Sequence, residues 1–273
     1  MGAQWCPDET KDGRVPARAR ATSFLSKPCL GLLPQHLAKV LVAIPERDIF
    51  VPAAQRAALM AEPQTYMAVA GRGRRPDVFA TVDFMEGIAI RSFEGRSPRN
   101  TVYLVLGPFR CIDNDPLAAP EGEYPLEMAA CSSALPETRL YKWNRAGELV
   151  DVTARYLPAP ALTPVEQAAV APGSLRLNLA SLTRVPVMRW TARVADRPEG
   201  DEATVPMSDD QGNDRNVSGI LHAGFVRWDG RVFQRLLRVP GTQWPSTECD
   251  RARGDAHCAP AAPMGLHADR FVD

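Results

Sequence analysis

Apolar residues along this chain recur mostly at every second position, the spacing of a half-buried strand. The segment DVFATVDF, residues 77–84, sets Val78, Ala80, Val82 and Phe84 on one face, with Phe79 opposing them. GIAIRSF follows directly after Glu86-Gly87, a pair suited to a hairpin turn. TVYLVLGPF, residues 101–109, is apolar on both parities, as a strand covered on both faces would be. SLRLNLASL, residues 174–182, alternates with Leu175, Leu177, Leu179 and Leu182 on or near the buried side. VPVMRWTARV, residues 185–194, continues in the same manner. Two windows keep helical spacing instead. PAAQRAALMAE (52–62) has proline in its first turn, and TPVEQAAVA (163–171) opens with Thr163, Pro164 and Glu166 in a capping box. The chain contains 25 prolines and 19 glycines, so few other helices fit between them. The expected fold is mainly β: antiparallel sheets, sandwich or propeller-like, with two short helices and disulfides.

Two segments invite comparison. LYKWNRAGELV (140–150) and GFVRWDGRVFQ (224–234) each place a basic residue before tryptophan, then Asn or Asp, then glycine, then an apolar pair. An aromatic strand enters, the chain turns at Asn144–Gly147 or Asp229-Gly230, and a second strand returns. Trp143 and Trp228 then hold equivalent positions before the turn, with Lys142 and Arg227 facing the other way. The expectation is one hairpin type used twice, against two hairpins arising independently. It suggests β-rich subdomains at 1–157 and 158–273, with a single domain as the alternative.

GRGRRPDVFATVDF (71–84) and TRLYKWNRAGELVDVT (138–153) resemble the FG-GAP or VCBS-type β repeats, which place a Gly-Asp-Gly-rich turn before a strand. The resemblance covers these two segments and implies β sheet without an activity. In those repeats the turn's carboxylates bind calcium. Here Arg72, Arg74 and Arg75 stand where carboxylates would be needed, so the resemblance implies no calcium at this turn.

Composition narrows the class. Lys plus Arg and Asp plus Glu each number 32, a formal net charge of zero, where a nucleic-acid binder needs a basic excess. No apolar run reaches the length that crosses a bilayer; AKVLVAI (38–44) is stopped by Pro45 and Glu46. The six cysteines, Cys6, Cys29, Cys111, Cys131, Cys249 and Cys258, form three separated pairs along the chain. Local pairing is the simplest arrangement, although spacing alone leaves every connectivity open. An even, paired set points to an oxidising compartment, the bacterial periplasm. Met1-Gly2 reads as a start placed on a chain whose leader has been removed, and the rival is a cytosolic protein with buried thiols.

Reactive motifs are sparse. The chain has no GxSxG elbow, and its histidines are His36, His222, His257 and His267. His222 lies in the apolar GILHAGF; His257 and His267 lie in a proline-rich tail. A zinc site from Cys249, His257, Cys258 and His267 fails because adjacent His257 and Cys258 do not readily serve one tetrahedron. GRGRRP has the charge to attract an anion but lacks the Gly-Lys-Ser/Thr of a phosphate loop, and reads as a solvated turn. Asp113, Asp115, Glu121 and Glu123 could furnish a carboxylate pair, yet they sit in polar segments that give no apolar pocket. No catalytic residue, metal or cofactor is assigned.

Three functions compete. The first is a non-enzymatic periplasmic immunity or inhibitor protein that fills the active site of a toxic envelope hydrolase, either lysozyme-like or a phospholipase. It resembles, by type, exported β proteins that neutralise such effectors. The polar connection at 197–219 is its binding element, with Asp209, Asp210, Asp214 and Arg215 as contacts. An acidic segment complements the basic clefts of enzymes acting on anionic substrates. The second is a periplasmic hydrolase using Asp113 or Asp115 with Glu123. The third is an envelope scaffold binding polysaccharide through Trp143, Trp228 or Trp244.

Overall fold

Strands are the commonest element among the described residues and fall into two sheets, as the alternating pattern requires. The computed structural model describes residues 4–6, 27–49, 51–69, 71–73, 75–82, 87–111, 134–170, 174–195, 217–237, 239–240 and 243. Two compact units divide the chain. One comprises Met1–Leu157, Thr183–Val185 and Asp229–Val232; the other comprises Pro158–Leu182, Pro186–Trp228 and Phe233–Asp273.

The first unit holds eight strands: β1 (Gln4–Trp5), β2 (Cys29–Leu32), β3 (Pro63–Val69), β4 (Asp77–Val82), β5 (Ile88–Phe93), β6 (Val102–Cys111), β7 (Ala134–Trp143) and β8 (Leu149–Asp151). They lie side by side in chain order. Every pairing is antiparallel except β1 with β2, which is parallel. Val78, Ala80 and Val82 are buried while Thr81 is exposed, so the alternation in β4 sets its face. Along β6, Val102 and Leu104 are buried, and so are Tyr103 and Val105, which places protein on both sides of that strand.

Helices α1 (Gln35–Ala43) and α2 (Ala53–Ala61) follow β2. Leu37, Val40, Leu41 and Ile44 of the α1 region form one core with Val78, Ala80, Val82, Ile88, Ile90 and Val105 of the sheet. These positions follow i, i+3, i+4, i+7 spacing. In sequence this helix shows only as the apolar run AKVLVAI, because the stripe and the exposed Lys39 and Val42 interleave too tightly for a short window. Four short helices are present among the described residues, not two.

The end of α1 needs partners for its last carbonyls. Arg56 of α2, only 1% exposed, supplies them. Its guanidinium donates to the carbonyls of Leu41, Val42 (3.2 Å), Ile44 (2.7 Å) and Val51 (2.8 Å). A single side chain thus fastens the two helices together. Cys6 and Cys29 form a disulfide that ties the start of the chain to β2. Gly31 leaves room for it, since a Cβ there would meet Cys6 Sγ at 3.2 Å.

Strands β9 (Arg176–Asn178), β10 (Val187–Ala195), β11 (Val217–Trp228) and β12 (Phe233–Leu236) make the second sheet, in the order β12-β11-β10-β9. All three pairings are antiparallel. The segment SLRLNLASL forms a strand only at Arg176–Asn178; Ala180–Thr183 is a 3-10 turn that buries Leu182 completely. The expected long strand is therefore cut short. Helix α3 (Thr153–Tyr156) belongs to the first unit and α4 (Pro164–Ala169) to the second. The capping box of α4 is complete: Thr163 Oγ1 accepts from the Glu166 N–H at 3.2 Å, and Glu166 Oε2 accepts from the Thr163 N–H at 2.6 Å.

Both tryptophan hairpins exist, with Trp143 opposite Leu149 and Trp228 opposite Phe233. In each, the first loop residue folds its side chain back on the turn: Asn144 Oδ1 accepts from the Glu148 N–H, and Asp229 Oδ1 accepts from Arg231 and Val232 N–H. The loops themselves differ. One runs from 144 to 148 with its left-handed glycine fourth (Gly147, φ 83°); the other runs from 229 to 232 with glycine second (Gly230, φ 95°). They share local chemistry but differ in length and turn geometry, so they are not copies of one hairpin type. Among the described residues no helix is long and apolar enough to cross a membrane.

Candidate functional site

The densest ionisable cluster among the described side chains lies in the first unit, where β4 begins and β5 ends. Asp77 opens β4 and Arg91 lies within β5, and both are completely buried. Phe79 faces Arg91 directly across the pair, which puts Asp77 on the diagonal of the same face. Arg91 Nη2 donates to Asp77 Oδ2 at 3.0 Å, and Nη1 donates to the Val185 carbonyl at 2.9 Å. Asp77 Oδ1 accepts from the Glu94 N–H at 2.8 Å. The guanidinium also stands 4.9 Å from the centre of the Phe93 ring. Burial raises the Asp77 carboxyl to about 6, while Arg91 and the Glu94 N–H restrain the rise.

Glu94 continues the cluster. It is 2% exposed, and its Oε2 accepts from Arg75 Nη2 and from Thr101 Oγ1, each at 3.0 Å. Burial lifts its pKa, with Arg75 opposing. His36, in the first turn of α1, brings Nε2 to 3.9 Å from Glu94 Oε1, and its ring lies 6.2 Å from that of Tyr103. Burial, aided by Arg75, lowers the His36 pKa to about 4, so the imidazole is neutral near pH 7. Burial, with the nearby Glu94 charge, raises the Tyr103 phenol above its usual range.

A neutral histidine beside a carboxyl of raised pKa is the raw material of acid–base chemistry. Here the bonding directs the groups to another task. Asp77 is engaged by a guanidinium and a backbone N–H, and Glu94 by Arg75 and Thr101, so each carboxylate joins separate chain segments. The arrangement fixes Arg75 and Asp77 onto the end of β5. Glycine permits a close approach beside them: a Cβ on Gly71 would fall 2.4 Å from Asp77 Oδ1.

The turn that resembles a calcium-binding repeat therefore uses its one carboxylate differently, because Asp77 is neutralised by Arg91. Cys6 and Cys29 are joined, as local pairing anticipated. Cys111 ends β6, and Cys131, Cys249 and Cys258 lie outside the described residues. The proposed contacts Asp209, Asp210, Asp214 and Arg215 also lie outside them, as do Asp113, Asp115, Glu121, Glu123, His257, His267 and Trp244. His222 sits on β11 opposite Thr191. Trp228 is fully buried and cannot be a saccharide platform, and Trp143 packs against the core of the first unit.

Sequence reasoning missed Arg91, Glu94 and His36 as a group. One signal was present: a lone arginine inside IAIRSF and an aspartate directly before VFATV, on strands already paired as a hairpin. Two opposite charges facing inward on adjacent strands select each other. Comparison of the chain with protein-family models, curated proteins and solved structures yields no match.

Proposed function

We propose that this chain is a non-enzymatic periplasmic binding protein that occludes the active site of a toxic cell-envelope hydrolase, lysozyme-like or a phospholipase. The observation that carries the reading is the β10–β11 hairpin, paired from Val187↔Arg227 to Ala195↔Val217. It holds both ends of residues 196–216, a stretch with seven carboxylates (Asp196, Glu199, Asp201, Glu202, Asp209, Asp210, Asp214) against Arg197 and Arg215. Binding costs less when the base of a contact segment is already ordered. Its acidity suits the basic cleft of an enzyme acting on anionic cell wall or lipid. The Cys6–Cys29 bridge supports an oxidising compartment.

The test replaces residues 196–216 with an Asn-Gly turn and measures inhibition of a lysozyme-type and a phospholipase-type enzyme. The full chain inhibits one of the two, and the shortened chain loses at least about tenfold in apparent affinity, near 1.4 kcal/mol. Full inhibition by the shortened chain would falsify the role of this segment. Failure of the intact chain against both enzymes overturns the inhibitor reading itself.

A further inference from the structure

Three turns of the first unit carry exposed arginines, and glycines let their backbones meet. A Cβ on Gly73 would stand 2.5 Å from Glu94 Cβ, and one on Gly95 2.6 Å from Asn100 Cβ. A Cβ on Gly230 would lie 3.2 Å from Arg72 Cβ, and the Gly230 carbonyl accepts the Arg96 N–H at 3.2 Å. The segments 71–73, 95–100 and 229–232 are thus held together, with Arg75 tied to Glu94 beside them. Arg72, Arg75, Arg96, Arg99 and Arg231 are all exposed there.

The carboxylates of these turns are engaged locally. Glu94 is buried against Arg75 and Thr101, and Asp229 accepts the backbone N–H groups of its own turn. Among the described residues, five guanidiniums against those two acids leave a local positive excess on a chain whose formal net charge is zero. Val232 accompanies them, apolar and 44% exposed, directly after Arg231.

We propose that this arginine face docks on the surface of an anionic bilayer. The guanidinium fork matches the paired oxygens of a lipid phosphodiester and tolerates partial desolvation better than an ammonium does. Each arginine near such a surface gains from its negative potential. The valine decides for lipid over a soluble polyanion: the interfacial layer receives an apolar tip among charges, whereas a nucleic acid or an acidic protein surface offers it nothing comparable. None of these residues belongs to 196–216, so docking and inhibition fail or succeed separately.

The experiment sediments the full chain with phosphatidylcholine vesicles and with vesicles containing phosphatidylglycerol. Binding is expected to the anionic vesicles and to weaken as salt rises. Arg72→Gln, Arg96→Gln, Arg99→Gln and Arg231→Gln combined lowers it at least about tenfold. Arg75 is left in place because it holds Glu94. Should the fourfold variant misfold, Arg99→Gln with Arg231→Gln alone still weakens binding about threefold or more. Val232→Asp weakens binding without changing the melting temperature. Equal binding to both vesicle types, or unchanged binding by the arginine variants, overturns the proposal. So does release of the vesicles by an oligonucleotide at equal phosphate concentration, which would assign the face to a soluble polyanion.

Discussion

At the scale of single residues, the Asp77–Arg91 pair is a point where one substitution is expected to be costly. Both charges are fully buried, so losing one partner strands the other. Arg91→Met is expected to cost about 3–5 kcal/mol in urea unfolding. Adding Asp77→Asn should recover more than half of that, because asparagine carries no charge yet keeps an acceptor for the Glu94 N–H. A double variant no more stable than Arg91→Met would show that the loss comes from packing. His36 and Asp77 also pull the pH dependence in opposite directions. His36 titrates near 4 in the fold against 6.5 when free, so its share of stability is complete above 6.5 and falls away as pH drops toward 4. Asp77 titrates near 6 against 3.8, so its carboxyl favours the fold at low pH and that advantage is lost as pH rises through 6. The two slopes largely cancel between pH 4 and 6.5. His36→Gln removes one of them. Relative to wild type, that variant gains roughly 2 kcal/mol between pH 7 and pH 4.5 in denaturant titrations. A constant difference at both pH values would sink the assignment of a neutral imidazole.

Among the elements, β1 is the one least able to stand alone. It has two residues, both exposed, and pairs in parallel with β2. Its anchors are the Cys6–Cys29 bridge, which spans 23 positions, and the Cys6 N–H donated to the Leu30 carbonyl at 2.8 Å. Closing a loop of that size stabilises the fold by about 3 kcal/mol. Cys6→Ser with Cys29→Ser should lower unfolding free energy by that order. Native, unreduced protein should yield no more than four titratable thiols of the six. Six free thiols would remove both the bridge and the case for export. Legibility in the sequence followed the same physics. Strands with apolar residues at alternate positions (β4) or double coverage (β6) could be read because burial writes such patterns into sequence. The capping box of α4 could be read because its hydrogen bonds demand particular residues at fixed spacing. Helix α1 could not, since it has no side-chain cap and its stripe merges into one apolar run. Nor could Arg56, whose role depends on the carbonyls of a helix end that lies 12 to 15 positions earlier in the chain. The charged cluster was half visible: Asp77 and Arg91 belong to one hairpin, but His36 arrives from a helix whose position no local rule gives.

For the whole molecule, the division into units does not follow the chain. The first unit takes in Thr183–Val185 and Asp229–Val232 as well as Met1–Leu157. A cut after Leu157 therefore removes parts of the unit it seems to isolate. The Val185 carbonyl is one of them, and with it goes the acceptor of Arg91 Nη1. A buried charged donor without its acceptor costs about 1–3 kcal/mol. The Gly230 carbonyl that accepts the Arg96 N–H is lost as well. The fragment 1–157 is expected to keep its sheet, because the eight strands and the disulfide lie within it. Its melting temperature should nonetheless fall by roughly 5–15 °C. Hydrogen exchange gives the sharper reading, since the same amides of β4, β5 and β6 can be followed in both molecules. Protection should drop most around Asp77, Arg91 and Glu94, and least across the α1–α2 core, whose residues all lie between Cys6 and Leu149. The Arg91→Met substitution should also cost less in the fragment than in the full chain, because one of its contacts is already gone. Identical protection around the cluster in both molecules would mean that Met1–Leu157 is self-sufficient and that the two later segments add nothing to its stability.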